Sequence, residues 1–337
     1  MRDFKRLAKG ALQLSEAFTQ GRSELPKNYF NLKEARSGYL LYFTLTNFAK
    51  TFHCLKQAAP FLSTGGPLRI LDVGAGPGTA ALACSSFFSD RPLEIVCLEQ
   101  NKGILEDAKN LFEKWKNPNH RTHFQCASFP TFVKGSFDLI IAANFLNELG
   151  NVGHQRRAAE MLLKHLNPNG LLIIIDPALQ KTTRTLMALR DQLLSAKACI
   201  VLAPCLHQAN CPMLAANQRD WCHFYIDWEC PKIIRAVDKL IGNKHDYLKM
   251  AYLILQKEAP SPQPSPSRGE GVQPWRVVSS PLITKGKREL ILCGGFGVLK
   301  KIRRLDKEAA HIHDDFNTLS RGDIVQAEAT VTLLKKF

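Results

Sequence analysis

Two stretches of this chain carry side chains whose types and spacing could do chemistry. In "LDVGAGPGTA", Asp72, Gly74, Gly76 and Gly78 stand in a D-x-G-x-G-x-G pattern at the end of a short β-rich run. Glycines so placed let a chain turn sharply after a strand and let a ligand approach its backbone amides. Glu99 closes the next β-rich run 21 residues past Gly78, where an acid receives the ribose hydroxyls of a nucleoside. A dinucleotide site would read G-x-G-x-x-G; Gly78 comes one residue early, which disfavours pyrophosphate recognition at the helix start. A glycine-rich turn that binds nothing is the structural alternative.

The second stretch is "APCLHQANCPMLAANQRDWCHF", with Cys205, Cys211 and Cys222 inside eighteen positions beside His207 and His223. Its spacing is neither the C-x-x-C of a zinc ribbon nor a common redox pair. Cysteines that merely fill a core would not favour so polar a stretch as "HQANCP", so metal binding is the expectation. Zinc would need a closed Cys₃His or Cys₄ set, completed by His223 or Cys230. Cys205 also follows a proline, the setting of some cysteine nucleophiles, but lies beyond the strands where such a group acts.

These residues need elements to hold them. Residues 1–66 read as a helical cap, with apolar residues at helical spacing in "LAKGALQLSEAF" and "GYLLYFTLTNFAKTFHCL". From 67 to 200 the grammar becomes strand, turn, helix: "LRILDVG", "LEIVCLEQ", "FDLIIAANFL" as a third strand and "GLLIIID" as a fourth, with helices between. That alternation predicts parallel βαβ units and a doubly wound α/β sheet. The segment 201–257 carries the cysteines and a run, "YLKMAYLILQK", able to return to the sheet. Residues 258–274, with five prolines and no aromatic, read as a linker or insertion. Residues 275–337 read as a small basic β-rich unit with cationic knots at Lys285–Arg288 and Lys300–Arg304.

Composition narrows the partners. The 45 Lys and Arg against 30 Asp and Glu leave a net charge of +15, which favours a polyanion, usually nucleic acid, over a merely solvated basic surface. No apolar run has transmembrane length and no secretory start opens the chain, so no membrane partner is expected. Ten cysteines without a signal sequence point to a reducing, cytoplasmic-type compartment, with the mitochondrial matrix also open. No pattern sets an oligomeric state.

The glycine turn resembles the first motif of the class I S-adenosylmethionine (SAM) methyltransferases, whose glycines line the amino-acid end of SAM. On that resemblance Asp72, Gly74, Gly76, Gly78 and Glu99 bind the cofactor, "QCASF" (125–129) lies near the adenine, and Asn144 stands beside the methyl group. Enzymes that methylate base amines carry Asn/Asp-Pro-Pro-Tyr/Phe there; this chain has Asn144-Phe145-Leu146-Asn147. Glu148, His154 and Asp176 are acid–base candidates that are equally plausible as surface or capping residues.

A longer pattern is shared as well: "ARSGYLLYFTLTNF", the glycine turn, "P-C…H…C-P…WCHF", then "LCGGFG" and "SRGD", in that order. It resembles the methyltransferase-like proteins of the mitochondrial small ribosomal subunit and their bacterial relatives. The resemblance implies a Rossmann-like SAM fold, contact with small-subunit ribosomal RNA in immature particles, and a [4Fe–4S] cluster on Cys205, Cys211, Cys222 and the late Cys293. The last block departs from the family, with Cys293-Gly294-Gly295 for Cys-Thr-Gly and Arg321-Gly322-Asp323 for Trp-Gly-Asp. A non-catalytic assembly factor, and a small-molecule methyltransferase with structural zinc, are the rival readings.

Overall fold

The computed structural model describes residues 2–20, 29–131, 134–257, 273–307, 314–327 and 334–336. Most of the Pro/Ser-rich stretch, 258–272, lies outside them. Three helices come first, α1 (Arg2–Gln20), α2 (Lys33–Gly38) and α3 (Thr44–Ala58), with a π-helical turn at Tyr39–Phe43 between the last two. The chain then alternates through β1 (Leu68–Val73), α4 (Thr79–Phe87), β2 (Leu93–Glu99), α5 (Lys102–Trp115), β3 (His120–Cys126), β4 (Phe137–Ala143), α6 (Val152–Lys164), β5 (Leu166–Asp176) and α7 (Gln180–Ser195). It continues with β6 (Cys199–Ala203), α8 (Pro212–Ala216), β7 (Phe224–Asp227), α9 (Lys232–Ile241) and β8 (Tyr247–Lys257).

These strands form one eight-stranded sheet in the order β3-β2-β1-β4-β5-β8-β6, with β7 paired to the first half of β8. Strands β1 to β5 are parallel, and β8 enters antiparallel between β5 and β6. This is a doubly wound α/β sheet, as the strand–helix alternation predicts. Period-two alternation sorts the side chains: Ile70, Leu139, Ile141 and Ile173 pack under α3 and α4, while Leu71, Ile140, Leu172 and Ile174 pack against α6 and α7. With both faces covered, β5 is apolar from Leu171 to Ile175 without a break.

The strand spelled "FDLIIAANFL" is the fourth of the sheet, not the third. The extra strand, β3, reads "HRTHFQC" and pairs only with β2 at the edge of the sheet. An edge strand with an open face does not need an apolar sequence, so nothing in its hydrophobicity announced it.

The helical cap leans on α5, beside the carboxyl end of β2. Arg36 forms a two-point ion pair with Asp107 of α5, Nη2 donating to Oδ1 at 2.7 Å, and Asn101 donates to Asn31 at 2.9 Å. The cap is thereby tied to the start of α5, next to Glu99.

The C-terminal unit is a second, antiparallel sheet built from β9 (Gln273–Val277), β10 (Leu282–Thr284), β11 (Lys287–Gly294), β12 (Leu299–Leu305), β13 (Ile324–Ala327) and β14 (Leu334–Lys336), with one short helix, α10 (Asp314–Thr318). Its core joins Trp275, Val277, Leu290, Leu292, Ile302, Phe316, Leu319 and Val325. It is seated on the first sheet through arginines. Arg321 donates to the carbonyls of Val278 (2.6 Å) and His223 (3.4 Å), and the Arg276 guanidinium lies 5.9 Å from the centre of the Phe224 ring.

Candidate functional site

The turn after β1 is held from below. The amides of Gly74 and Ala75 both donate to the Leu98 carbonyl at the end of β2, at 2.9 and 3.0 Å. Gly74, Gly76 and Gly78 all have positive φ, 68°, 53° and 74°, a region that side chains rarely adopt. Two of them also have protein neighbours in the way: a Cβ on Gly74 would fall 2.6 Å from the Phe145 ring, and one on Gly78 3.1 Å from Phe112. At Gly76 the same position meets nothing within 4 Å. The backbone there faces open space.

Glu99 stands beside that opening. It is 8% exposed, and its carboxylate accepts the Gly76 amide at 3.0 Å and the Asn101 amide at 2.8 Å. Burial raises its pKa and those amide bonds pull it back down. With the Gln100 amide also bonded to it, the carboxylate keeps about one of its roughly four acceptor positions for a hydroxyl donor. Asp72 is more deeply set, 2% exposed, and accepts the Ala81 amide at 3.0 Å in the first turn of α4. Burial, reinforced by Glu99, raises its pKa to about 7 against the Ala81 bond. Asn144 ends β4 with φ 55°, half-buried, its amide donating to the Ile175 carbonyl at 2.7 Å. The "QCASF" loop comes to the same edge, with the Ala127 amide on the Glu99 carbonyl at 3.1 Å.

The acid–base candidates do not converge on this edge as a set. Glu148 and His154 are exposed, His154 lying in the first turn of α6, whose cap Asn151 accepts its amide at 3.1 Å. Asp176 is buried at the end of β5. Asn147, in the same loop as Asn144, has both polar side-chain atoms buried with no hydrogen-bond partner among the described residues. A carboxamide in that state costs about 1–3 kcal/mol, and such groups are usually partnered.

The cysteines form a second centre, between the two sheets. Cys205 follows β6, Cys211 precedes α8, Cys222 precedes β7, and Cys293 arrives on β11. Burial raises the Cys222 thiol well above its ordinary pKa, and Cys205, Cys211 and Cys293 each raise it further. Cys293 is pushed to about 12 by burial and then by Cys205 and Cys211, and Cys211 is raised by burial with a contribution from Cys205. Every pair among the four is thus close enough to repel as thiolates. Even so, among the described residues no group of three or more His, Cys, Asp or Glu side chains could hold a metal ion.

The zinc sets expected from the sequence are not assembled. The His223 ring stacks on Trp221 and abuts Tyr225, and Cys230 packs with Ala8, Tyr42 and Ile234 in a separate cluster. His207, noted beside the cysteines in the sequence, and Arg190, which the sequence did not single out, join them instead. His207 Nε2 lies 3.5 Å from Cys293 Sγ, and burial with Arg190 nearby lowers its pKa to about 4, so the ring is neutral. Arg190, 1% exposed, donates from Nε to Cys205 Sγ at 3.2 Å, to Asp191 at 2.6 Å, and to the carbonyls of Ala209 (2.8 Å) and His207 (2.7 Å). Asp191 in turn accepts the Cys211 amide at 3.0 Å.

The two cationic knots fall on neighbouring strands, with Arg288 opposite Arg304 and Leu292 opposite Lys300. Part of their charge is engaged: Lys287 and Lys301 pair with Glu289 and Lys300 lies over the Trp275 ring, whereas buried nitrogens of Arg288 and Arg304 have no hydrogen-bond partner among the described residues.

A protein-family profile described as mitochondrial small ribosomal subunit Rsm22 matches residues 33–316. The chain belongs to the Rsm22 family. Two curated relatives from Schizosaccharomyces pombe, the mitochondrial Rsm22-cox11 tandem proteins 1 and 2, are each 26% identical over 213 residues, covering 56% of this chain and 27% of theirs. This Rsm22-family chain therefore spans little more than a quarter of the length of those relatives. Among solved structures it is similar to a methyltransferase from Pyrococcus furiosus, at 18% identity over 62% of this chain and 83% of that one, TM-score 0.39. It is also similar to the N-methyltransferase NodS from Bradyrhizobium japonicum in complex with S-adenosyl-L-homocysteine, at 12% identity over 62% and 86%, TM-score 0.40.

Proposed function

We propose that this Rsm22-family protein binds SAM at the turn after β1 and acts as a methyltransferase-like factor on the RNA of the small ribosomal subunit during its assembly. The observation that carries the SAM reading is the contrast among the three glycines. Gly74 and Gly78 are crowded by the protein's own rings, whereas Gly76 opens to space beside a carboxylate. In this reading the methionine end of SAM lies along Gly74–Gly78, Glu99 receives a ribose hydroxyl, and Asp72 holds the turn against the start of α4. Asn144 stands at the methyl end. Isothermal calorimetry should show Glu99→Ala binding SAM about tenfold to a hundredfold more weakly, the worth of a charge-assisted hydrogen bond of roughly 1.5–3 kcal/mol. Gly76→Val should weaken it further by filling the open side. Unchanged affinity in both would remove SAM from this turn.

A specific observation favours binding without transfer. The loop after β4 lacks the Pro-Pro of amine methylases, and Glu148 and His154 are both exposed, with the His154 ring on the Leu149 carbonyl rather than on the glycine turn. Single-turnover transfer from labelled SAM to immature small-subunit particles separates the two readings: methylated RNA supports an enzyme, and SAM binding with no transfer supports an assembly factor. The place of action in either case is the compartment where the subunit is built, cytoplasm or mitochondrial matrix. No helix among the described residues is long and apolar enough to cross a membrane.

The cysteine centre belongs to the same proposal. The thiols of Cys211, Cys222 and Cys293, raised by burial and by their cysteine neighbours, suit together with Cys205 a cationic centre that takes thiolates, and Arg190 beside Cys205 already supplies one positive charge there. Cys205, Cys211, Cys222 and Cys293 would hold a [4Fe–4S] cluster, which when bound supplies a covalent staple between the two sheets. Protein purified without oxygen should carry iron and sulfide, and Cys293→Ser should lose most of both along with the protease resistance of the C-terminal sheet. Colourless wild-type protein loaded with zinc, or without metal, rejects the cluster.

A further inference from the structure

One surface remains outside both centres. Along β7, Phe224 turns inward to the core, and beside it lie three more side chains: Trp221, half-buried against the cysteine-side cluster, His223, which is buried, and half-buried Tyr225. Their rings form a row with the exposed Tyr247 of β8. Centroids are 5.3 Å apart from Trp221 to His223, 5.5 Å from His223 to Tyr225 and 4.7 Å from Tyr225 to Tyr247. Two cations flank the row. Lys249 Nζ is 5.5 Å from the ring centres of both Tyr225 and Tyr247, and the Arg321 guanidinium is 5.5 Å from that of Tyr225. The cross-strand register puts Tyr225 opposite Lys249 and Asp227 opposite Tyr247, so the row has a cationic middle and one carboxylate at its end.

We propose that this row is a platform for unpaired bases of single-stranded RNA, with Tyr247 as the open stacking ring and Lys249 and Arg321 as phosphate contacts. The proposal rests on the ribosomal-RNA reading above and assigns it a surface. Aromatic rings interleaved with cations are the means by which proteins hold single strands without reading their sequence. Tyr247 is 42% exposed, a large ring left in water, and no carboxylate is paired with Lys249 among the described residues. The +15 charge makes a polyanion the complementary occupant of such a face. The cationic knots of β11 and β12, with part of their charge turned to Glu289 and Trp275, are the poorer candidates.

The position of the row gives it a rigid base. Arg321 bonds the His223 carbonyl from the second sheet, Ser280 donates to the Tyr225 hydroxyl at 3.4 Å, and Cys222 anchors the backbone between Trp221 and His223.

The test is fluorescence anisotropy of the full chain with a labelled twelve-nucleotide oligouridylate and with an RNA duplex of the same length. Tyr247→Leu should bind the single strand about tenfold more weakly, Tyr247→Phe should bind it like the wild type because the ring is kept, and Lys249→Ala should reduce the salt dependence. Equal binding by Tyr247→Leu and Tyr247→Phe overturns the platform, and so does a wild type that prefers the duplex. If that result comes with intact binding of small-subunit RNA, the ribosomal reading stands and only the surface is wrong. A wild type that binds neither the probe nor small-subunit RNA overturns both.

Discussion

Arg190→Met lowers the stability of the protein by about 3–5 kcal/mol in the outcome expected from its surroundings. The guanidinium is 1% exposed, yet all its hydrogen-bond capacity is spent locally, on Cys205, Asp191 and the carbonyls of His207 and Ala209. Burial works against its charge, and Cys205 and Asp191 outweigh burial, so that its pKa lies above the ordinary value. Methionine keeps the length and the apolar body of the side chain, which isolates the loss of charge and donors. What it leaves behind is Asp191 without its cation and two carbonyls without donors. Asp191 also accepts the Cys211 amide, so the loop from Cys205 to Cys211 should loosen with it. Chemical denaturation checks the size: the midpoint should fall at an unchanged slope. Asp191→Asn in the same background should cost less than it does alone, because the pair acts as a unit. A loss below about 1 kcal/mol would mean that Arg190 is an ornament of the fold rather than its tie.

Asp72 sets the second large expectation, a fall in stability with rising pH. Buried beneath the glycine turn, it ionises near pH 7 in the folded protein and near pH 4 in an unfolded chain. Between those values the folded state binds more protons than the unfolded one, so stability declines as pH rises from about 4 to about 7 and is level above. A gap of that size is worth up to about 4 kcal/mol at pH 8. Asp72→Asn keeps an oxygen for the Ala81 amide and cannot ionise. Wild type should therefore lose ground to Asp72→Asn between pH 5 and pH 8, and parallel profiles for the two proteins would show that Asp72 titrates normally.

What the sequence disclosed and what it concealed follow from how each signal is written. The turn after β1 was legible because glycines at fixed spacing have few other uses, and the inner strands because burial on both faces demands unbroken apolar runs such as Leu171–Ile175. Strand β3 was hidden by its place at the edge, where "HRTHFQC" carries no alternation. Arg190 was hidden by its type. It sits with Leu186, Leu189 and Leu193 on the buried face of α7, and an arginine on an apolar helical stripe was the available signal. The cationic knots read as surface because their charges are consecutive, yet a strand sends alternate residues inward, and Ile302 between Lys301 and Arg303 marks that turn. The aromatic row was illegible for another reason: Tyr225 and Tyr247 belong to different strands, and only the β7–β8 register makes them neighbours.

The placement of Cys293 has a consequence for how the chain is made. A ribosome delivers the polypeptide from its amino end, and domains fold as units in that order. When Lys257 has emerged, every strand of the large sheet exists, and Cys205, Cys211 and Cys222 are already present while Cys293 on β11 is not. A nascent chain stopped at that stage lacks the fourth thiol and the two guanidinium groups, Arg276 and Arg321, that lie beside the rings of Phe224 and Tyr225. The cysteine centre is thus completed only once β11 has been made and the second sheet has folded onto the first.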